Sequence, residues 1–255
     1  MTMIAGIPVS IRKTYRALSA CLSRGAGLIL FLCLFFLVIR VFLIPAITPR
    51  VMRVLLIQPQ KNGFIIDAEG MDALADAFSN YLSGKRASAQ VYLSFNNQSV
   101  PAFQPHELLH LKDVQSLFFL AFTLASTAFF VLLAVFIIML TAKTSRLAER
   151  IRILAGAFQA ASLAVLGVMA LLVLLGAFWF DRAFIILHKL LFNNDLWLLN
   201  PQKDLLIQLM PQQFFVEYAR NAIKPILSIL CYSVVAATAM RASAALYLKQ
   251  NRLPS

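Results

Sequence analysis

Charged side chains are scarce in this 255-residue sequence, and acidic side chains are the scarcer kind. Only 13% of the residues are charged, 60% are hydrophobic, and the mean hydropathy is +0.78. A soluble domain normally carries about 25% charged residues, so this composition excludes an ordinary soluble globular fold and is typical of membrane proteins. The net charge of +12 suits anionic lipid headgroups better than nucleic acid.

Cysteine is also scarce. The three cysteines are Cys21, Cys33 and Cys231, and they lie in or near apolar runs. Three cysteines in such surroundings are too few for a disulfide framework and argue against a cysteine-rich metal site.

Ionisable side chains are absent from two long apolar runs, Ser116–Leu140 and Ile153–Phe180. A proton- or ion-translocating transporter needs acidic, basic or histidine groups near mid-membrane. The sequence also shows no internal repeat of the kind that transporters often have. These two absences argue against a transporter.

Four apolar runs are long enough to cross a bilayer, which takes about 20 residues. They are Gly27–Thr48, Ser116–Leu140, Ile153–Phe180 and Ile226–Leu248. We therefore predict an all-α integral membrane protein with four transmembrane helices, a small α+β extracytoplasmic cap and a second outer loop of interfacial helices. The predicted division is a basic N-terminus (1–26), a first span (27–48), the cap (49–115), a second span (116–141), a cytoplasmic loop (142–152), a third span (153–180), the second loop (181–222), a fourth span (223–248) and a tail (249–255).

The orientation of these spans follows from their flanking charges. Basic residues are packed into the N-terminus, the loop after the second span and the C-terminal tail, each next to span ends. Ten of the eleven acidic residues fall in the cap or the second loop, and only Glu149 does not. Because basic residues near span ends favour the cytoplasmic side, we predict that both termini are cytoplasmic and that the cap and second loop lie outside.

The cap carries a clear helical pattern. Apolar residues recur at i, i+3, i+4, i+7 and i+10, at Met71, Leu74, Ala75, Phe78 and Tyr81, which predicts an amphipathic helix. Gly84 is placed to end that helix. Residues 91–95 then predict a short strand, and Lys61-Asn62-Gly63 predicts a turn before the helix. A cap of this size is marginal alone, so we expect it to pack on the second loop.

Two arginines lie inside predicted spans. Arg40 is nearer the outer end of the first span, and a membrane-embedded arginine costs about 2.5–3.5 kcal/mol, so a functional role is the default hypothesis. The alternative is that its side chain snorkels to the outer surface. For Arg241, near the inner end of the fourth span, we favour snorkelling.

His106, Glu107 and His110 spell H-E-x-x-H just before the second span. On a helix this spacing places two imidazoles on one face for zinc, with the glutamate as general base of a metalloprotease. Pro105 weakens this interpretation because it puts His106 in the first turn, where a ligand pair is poorly supported. No third ligand follows at a familiar spacing. The plain alternative is a polar helix N-terminus, in which the helix dipole favours Glu107.

The second loop holds a histidine, a polar turn and a tryptophan between two apolar runs. His188 lies about two helical turns after the third span, by the rise per residue. Trp197 and the neighbouring phenylalanines suit a membrane–water interface. Asn200-Pro201 and Met210-Pro211 predict helix starts along the membrane. An isolated histidine is more often structural than catalytic, but two at the same depth in different loops raise the odds of a site.

Two stretches carry a resemblance to a known family. The first is E-x-x-H-L-x-D-V, with Glu107, His110, Leu111, Asp113 and Val114. The second contains Phe184, His188, Phe192, Asn194, Asp195, Trp197, Leu199, Pro201, Asp204, Leu206, Ile207, Leu209, Pro211, Phe214 and Phe215. Together, in this order and with four spans, they are similar to the bacterial lipoprotein intramolecular transacylase family, and the resemblance covers most of the chain.

The resemblance implies an enzyme that acts on a diacylated bacterial lipoprotein. Such an enzyme moves the sn-2 acyl chain onto the α-amino group of the lipoprotein's own N-terminal cysteine and leaves a lyso-form product. It would need no cofactor and no metal, and it would meet membrane phospholipid but no nucleic acid. It would lie in the bacterial cytoplasmic (inner) membrane with its active site on the extracytoplasmic side. The two histidines of the family map to His110 and His188.

The chemistry of the side chains agrees with this implication. An α-amino group has a pKa of about 7.7–8.0, so a base near neutrality, such as histidine, suffices to free its lone pair. The other imidazole would then stabilise the oxyanion or the leaving oxygen, and which histidine does which stays open. Either Asp113 or Glu107 could fix an imidazole tautomer.

We predict supporting or substrate-binding roles for Glu107, Asp113, Asn194, Asp195, Trp197, Asp204 and Arg40. A membrane zinc metalloprotease and a non-enzymatic lipid- or lipoprotein-binding protein remain the alternatives.

Overall fold

The structure is a computed structural model that describes residues 28–58, 65–95, 98–140 and 144–250. The predicted basic N-terminus and the turn at Lys61-Asn62-Gly63 lie outside the described residues. So do parts of the predicted cytoplasmic loop and of the tail. The described residues form two compact units. One unit consists of Val38–Ala125 and Ala170–Leu227, and the other holds the remaining described residues.

Helices make up most of the described chain. In order they are α1 (Leu28–Leu43), a 3-10 turn (Pro45–Ile47), α2 (Pro49–Leu55), α3 (Ala68–Leu82), α4 (Pro105–Leu140), α5 (Thr144–Leu191), α6 (Leu205–Leu209) and α7 (Gln212–Gln250). Two strands, β1 (Tyr92–Phe95) and β2 (Gln98–Pro101), lie between α3 and α4. Among the described residues, α4, α5 and α7 contain helices long and apolar enough to cross a membrane, whereas α1 is shorter.

The long helices reach beyond the predicted spans. Helix α4 begins at Pro105, well before Ser116, and thus carries His110 on the same helix as the apolar run. Helix α5 bends at Trp179, whose φ of −139° and ψ of 41° are not helical, and its continuation to Leu191 carries His188. Helix α7 begins directly after Pro211 and contains Pro225. The second loop therefore starts and ends in helix rather than in irregular chain.

The amphipathic helix predicted for the cap is confirmed as α3. Its first turn is capped by Asp67, whose side chain accepts a hydrogen bond from the Gly70 N–H at 2.7 Å. The predicted apolar face is buried, as the sequence pattern requires. Gly84 ends the helix with a φ of +78°, and the Gln115 side chain donates to the Tyr81 carbonyl at 2.5 Å.

The predicted strand is also confirmed, as the first arm of a hairpin. Strands β1 and β2 pair antiparallel, with Tyr92 opposite Pro101 and Leu93 opposite Val100. Leu93 is buried while Tyr92 is exposed, which is the alternation expected when one face of a sheet packs on a core.

One hydrophobic core joins the cap to the second loop, as predicted. Phe78 and Leu74 of α3 are fully buried in it, and Leu209 of α6 is buried in the same cluster. The backbone N–H of Ile57 donates to the Leu209 carbonyl at 3.0 Å. Since a small cap cannot bury much apolar surface alone, this shared core is what makes it stable.

Polar contacts join α5 to α7 in the other unit. Ser233 donates to Ser162 at 2.9 Å, and the Gln159 side chain donates to Thr238 at 3.0 Å. The Arg241 guanidinium donates to the Gln159 side-chain oxygen at 3.3 Å. Arg241, for which snorkelling is predicted, thus joins two helices through a hydrogen bond of the kind that holds membrane helices together.

We expect Gly84→Ala to destabilise the protein. At a φ of +78° an L side chain costs about 1–2 kcal/mol, and a Cβ here would lie 2.8 Å from a ring carbon of Phe119. The measurement is the midpoint of thermal unfolding in detergent. Gly167→Ala is the matched control, since no described residue lies within 4 Å of its added Cβ. Equal midpoints for the two variants would contradict the prediction.

Candidate active site

One face of α4 carries three of the polar residues singled out from the sequence. His106, His110 and Asp113 stand at i, i+4 and i+7, so their side chains leave the helix on the same side. Each of them contacts a different residue of the second loop: Asp204, His188 and Asn194 respectively. The structure therefore brings the two separate motif stretches together along this face.

His110 and His188 face each other within a group of aromatic rings. Their ring centroids are 6.1 Å apart. The Phe192 ring lies 5.2 Å from His110, whereas Phe184 and Trp197 lie 3.9 Å and 5.1 Å from His188. Trp197 is only 8% exposed, so these rings keep water from much of the space around the pair.

The backbone fixes the tautomer of His188. Its Nδ1 lies 2.8 Å from the Phe184 carbonyl oxygen, one helical turn earlier in the continuation of α5. A carbonyl oxygen only accepts, so Nδ1 must carry the hydrogen. In the neutral imidazole the lone pair therefore lies on Nε2, which is the nitrogen able to take a proton.

One nitrogen of His110 has no partner among the described residues. The residue is 7% exposed, and its Nδ1 is a buried atom without a hydrogen bond to any described residue. A buried polar atom left unpaired costs about 1–3 kcal/mol, and such atoms in native structures call for a functional explanation. This nitrogen is therefore available for a hydrogen bond to a bound molecule.

Asp113 is bonded to the second loop rather than to an imidazole. Its Oδ2 accepts a hydrogen bond from the Asn194 side-chain amide at 2.9 Å. The Asn194 oxygen in turn accepts from the Leu196 N–H at 3.1 Å. Burial, together with the negative charge of Asp113, raises the pKa of Tyr81 above its ordinary value. Asp113 is thus a link between α4 and the second loop.

Glu107 is fully buried and holds two backbone segments at once. One carboxylate oxygen accepts from the Gln104 N–H, and the other accepts from the Leu206 N–H, both at 2.7 Å. Both N–H groups belong to helix N-termini, of α4 and α6, where no intrahelical acceptor exists and negative charge is favoured. Because both oxygens are occupied, Glu107 is not placed to act as a general base.

His106 also has a partner of its own. Its Nε2 lies 3.1 Å from the Asp204 carboxylate, which is 3% exposed and also accepts from the Asn200 N–H at 2.6 Å. The three residues of the H-E-x-x-H pattern therefore contact different groups: Asp204 for His106, two backbone N–H groups for Glu107, and His188 for His110. Within the described ranges, no group of three or more His, Cys, Asp or Glu side chains is placed to hold a metal ion.

Two predicted site residues lie apart from the histidine pair. The Asp195 side chain is exposed, and only its backbone carbonyl is used, as the acceptor of the Leu198 N–H. The Arg40 guanidinium lies 5.4 Å from the ring centroid of Phe122, a cation–π contact. Phe122 is about 18 Å further along α4 than His110, at 1.5 Å per residue.

The sequence analysis did not identify the backbone groups that hold the site. These are the Phe184 carbonyl and the N–H groups of Gln104, Leu206 and Asn200. The i−4 spacing of Phe184 and His188 on a helix could have suggested the first of them. The bond between Glu107 and Leu206 joins residues 99 apart in sequence, and no local pattern predicts it.

We expect Glu107→Gln to weaken the fold. An amide in place of the carboxylate sets an NH2 donor against one of two backbone N–H donors, which lowers the free energy of unfolding by about 1–3 kcal/mol. Chemical denaturation in detergent measures the change. Glu69→Gln is the control, because Glu69 is exposed in the first turn of α3. A Glu107→Gln variant as stable as this control would refute the role given to the carboxylate.

Comparison with known proteins identifies the family. The family model described as "Lipoprotein intramolecular transacylase Lit" matches residues 25–215. The fold is similar to that of the membrane-integral lipoprotein intramolecular transacylase Lit from Bacillus cereus, at 17% identity and a TM-score of 0.59 over 91% of this chain and 99% of that one. A variant of the same protein with a histidine replaced by alanine gives 16% identity, a TM-score of 0.54, and coverage of 94% and 100%. No curated protein sequence matches the chain.

The family match covers most of the sequence, and the structural similarity concerns the same fold. The chain therefore belongs to the lipoprotein intramolecular transacylase family, a family of membrane enzymes.

Proposed function

We propose that this protein moves the sn-2 acyl chain of a diacylglyceryl-modified lipoprotein onto the α-amino group of the lipoprotein's own N-terminal cysteine. His110 and His188 provide the acid–base chemistry. The observation that carries this proposal is the histidine pair itself. Two imidazoles from two separate parts of the chain meet with ring centroids 6.1 Å apart, and each keeps a nitrogen that the described protein does not use.

The reaction balances within one substrate molecule. The amine nitrogen attacks the ester carbonyl carbon, an N–C bond forms, and the bond from that carbon to the sn-2 oxygen breaks. The nitrogen loses a proton and the sn-2 oxygen gains one, which leaves an amide and a free hydroxyl. No water and no acyl-enzyme is required, so the enzyme contributes orientation and proton transfer, and orientation alone accounts for several kcal/mol in such reactions.

The tautomer of His188 suggests a division of roles. Its Nε2 carries the lone pair, so His188 is the base that takes the proton of the α-amino group. The unpaired nitrogen of His110 then donates a hydrogen bond to the developing oxyanion, and the protonated His188 passes its proton to the departing sn-2 oxygen. With ring centroids 6.1 Å apart, the two imidazoles are close enough to contact the same ester group of one substrate.

The surroundings of the pair suit a lipid substrate. Aromatic rings enclose His188, and α4 continues past His110 as an apolar helix, so acyl chains would lie along apolar surface. We place this site on the extracytoplasmic side of the bacterial cytoplasmic membrane, where lipoprotein peptide and phospholipid meet. Glu107, Asp113, Asn194, Asp204 and Trp197 support the pair. Arg40 would contact acyl chains or headgroups at a different depth.

The direct test uses a synthetic diacylglyceryl-cysteine lipopeptide with a different acyl chain at each glycerol position. We expect the purified protein to move only the sn-2 chain to the amine, with no change in total mass, as read by tandem mass spectrometry. A shorter peptide product would indicate the metalloprotease alternative. Unchanged lipopeptide, under conditions where the Bacillus cereus protein is active, would overturn the proposal and favour a binding protein.

Three asparagine and glutamine variants test the roles of the histidines. We expect His110→Asn and His188→Asn to lower kcat/KM by about 10²–10⁴, the usual contribution of general acid–base catalysis. His188→Asn retains a donor for the Phe184 carbonyl, so the fold should survive. His106→Gln is the control, since it retains a donor to Asp204 and should change the rate only a few-fold. Loss of activity in this control would instead support the zinc hypothesis.

A further inference from the structure

Two polar contacts lie on either side of His110 along α4. Asp113, about 4.5 Å further along the helix axis, accepts from Asn194 at 2.9 Å. His106, about 6 Å earlier on the same face, pairs with Asp204 at 3.1 Å. Together with the bond from the Leu206 N–H to Glu107, these two contacts hold the second loop against α4 on both sides of His110. The histidine proposed to react lies between them.

The Asn194 side chain is held at both ends. Its oxygen accepts from the Leu196 N–H at 3.1 Å, and its nitrogen donates to Asp113. An amide whose oxygen faces a donor and whose nitrogen faces a carboxylate has one favourable orientation. The first bond makes the turn after Asn194 rigid, and the second anchors that turn to α4.

This turn carries the rings that pack on both histidines. Phe192, two residues before Asn194, lies 5.2 Å from the His110 ring. Trp197, three residues after it, lies 5.1 Å from the His188 ring. A shift of the turn relative to α4 would therefore move the packing around both imidazoles at the same time.

We propose that Asn194 is a positioning residue: through Asp113 it locks the 192–197 turn onto α4 and thereby sets the spacing of His110 and His188. This inference rests on the proposed function. Asn194 does not touch the reacting atoms, and Asp113 enters this inference as the acceptor of the Asn194 amide. A misplacement of about 1 Å between reacting groups costs up to roughly 10²-fold in rate, so loss of the lock should be visible in kcat.

The test exchanges the two partners. Asn194→Asp places a carboxylate against Asp113 while keeping the acceptor for Leu196, and we expect kcat for the diacylglyceryl-cysteine lipopeptide to fall at least about tenfold with a smaller change in KM. Adding Asp113→Asn restores a donor–acceptor pair of reversed direction and should recover most of the lost kcat. Asp113→Asn alone keeps an acceptor for Asn194 and should cost less than Asn194→Asp.

Asn193→Asp is the matched control, because it makes the same chemical change one residue away at a side chain that, unlike Asn194, has no hydrogen bond to the described residues. Its kcat should equal that of the unchanged protein, and thermal unfolding of every variant checks the fold. If the double variant with the exchanged pair is folded but has a kcat as low as that of Asn194→Asp, the inference is overturned. A loss in Asp113→Asn alone as large as in Asn194→Asp would overturn it too, because Asp113 would then act by its charge.

A readout that needs no activity separates this inference from the proposed function. The protein has two tryptophans, so in a Trp179→Phe background the emission reports on Trp197, beside His188. We expect Asn194→Asp to change this emission and the exchanged pair to restore it. Unchanged emission in Asn194→Asp would contradict the proposal that Asn194 holds the 192–197 turn on α4. A restored emission in a protein that leaves the lipopeptide untouched would contradict only the proposed reaction.

Discussion

The buried carboxylate of Glu107 is the contact on which the rest of the site depends. It accepts hydrogen bonds from two backbone N–H groups, one at the start of α4 and one at the start of α6, 99 residues away. A carboxylate removed from water is costly unless its oxygens are paired, and two helix N-termini supply both the donors and a favourable dipole. The first turn of α4 can therefore take only one position against α6. His110 lies one turn later on the same helix, so its position relative to α6 is fixed as well.

The polar groups around the histidine pair divide into two kinds. Glu107, Asp204, Asp113 and Asn194 are engaged with partners inside the protein, and their contacts keep the second loop on α4. By contrast, His110 Nδ1 is buried with no partner among the described residues, and His188 uses Nδ1 for a backbone carbonyl and keeps Nε2 free. Carboxylates thus hold the segments of the candidate site together, while His110 and His188 each keep a ring nitrogen without a partner among the described residues.

The H-E-x-x-H pattern shows how a motif depends on its surroundings. The spacing does place His106 and His110 on one face of a helix, as in a zinc protease. Pro105 starts that helix, however, so His106 lies in the first turn and reaches Asp204, while Glu107 turns to two N–H groups. Pro105 already indicated from the sequence that His106 lies in the first turn of the helix. The partners could not be predicted, because they lie in another part of the chain.

Local physical chemistry determined much of this protein. Long runs without charge indicate buried or membrane-embedded helices, and the spacing from Met71 to Tyr81 produces a one-sided helix. The choice of His110 and His188 came instead from the resemblance of two motif stretches to a known family. Only the tertiary structure decided which groups meet: the bond from Leu206 to Glu107, the bond from Asn194 to Asp113, and the pairing of His110 with His188. These features are set by packing and hydrogen bonds between segments far apart in sequence, and no local pattern encodes the distance between such segments.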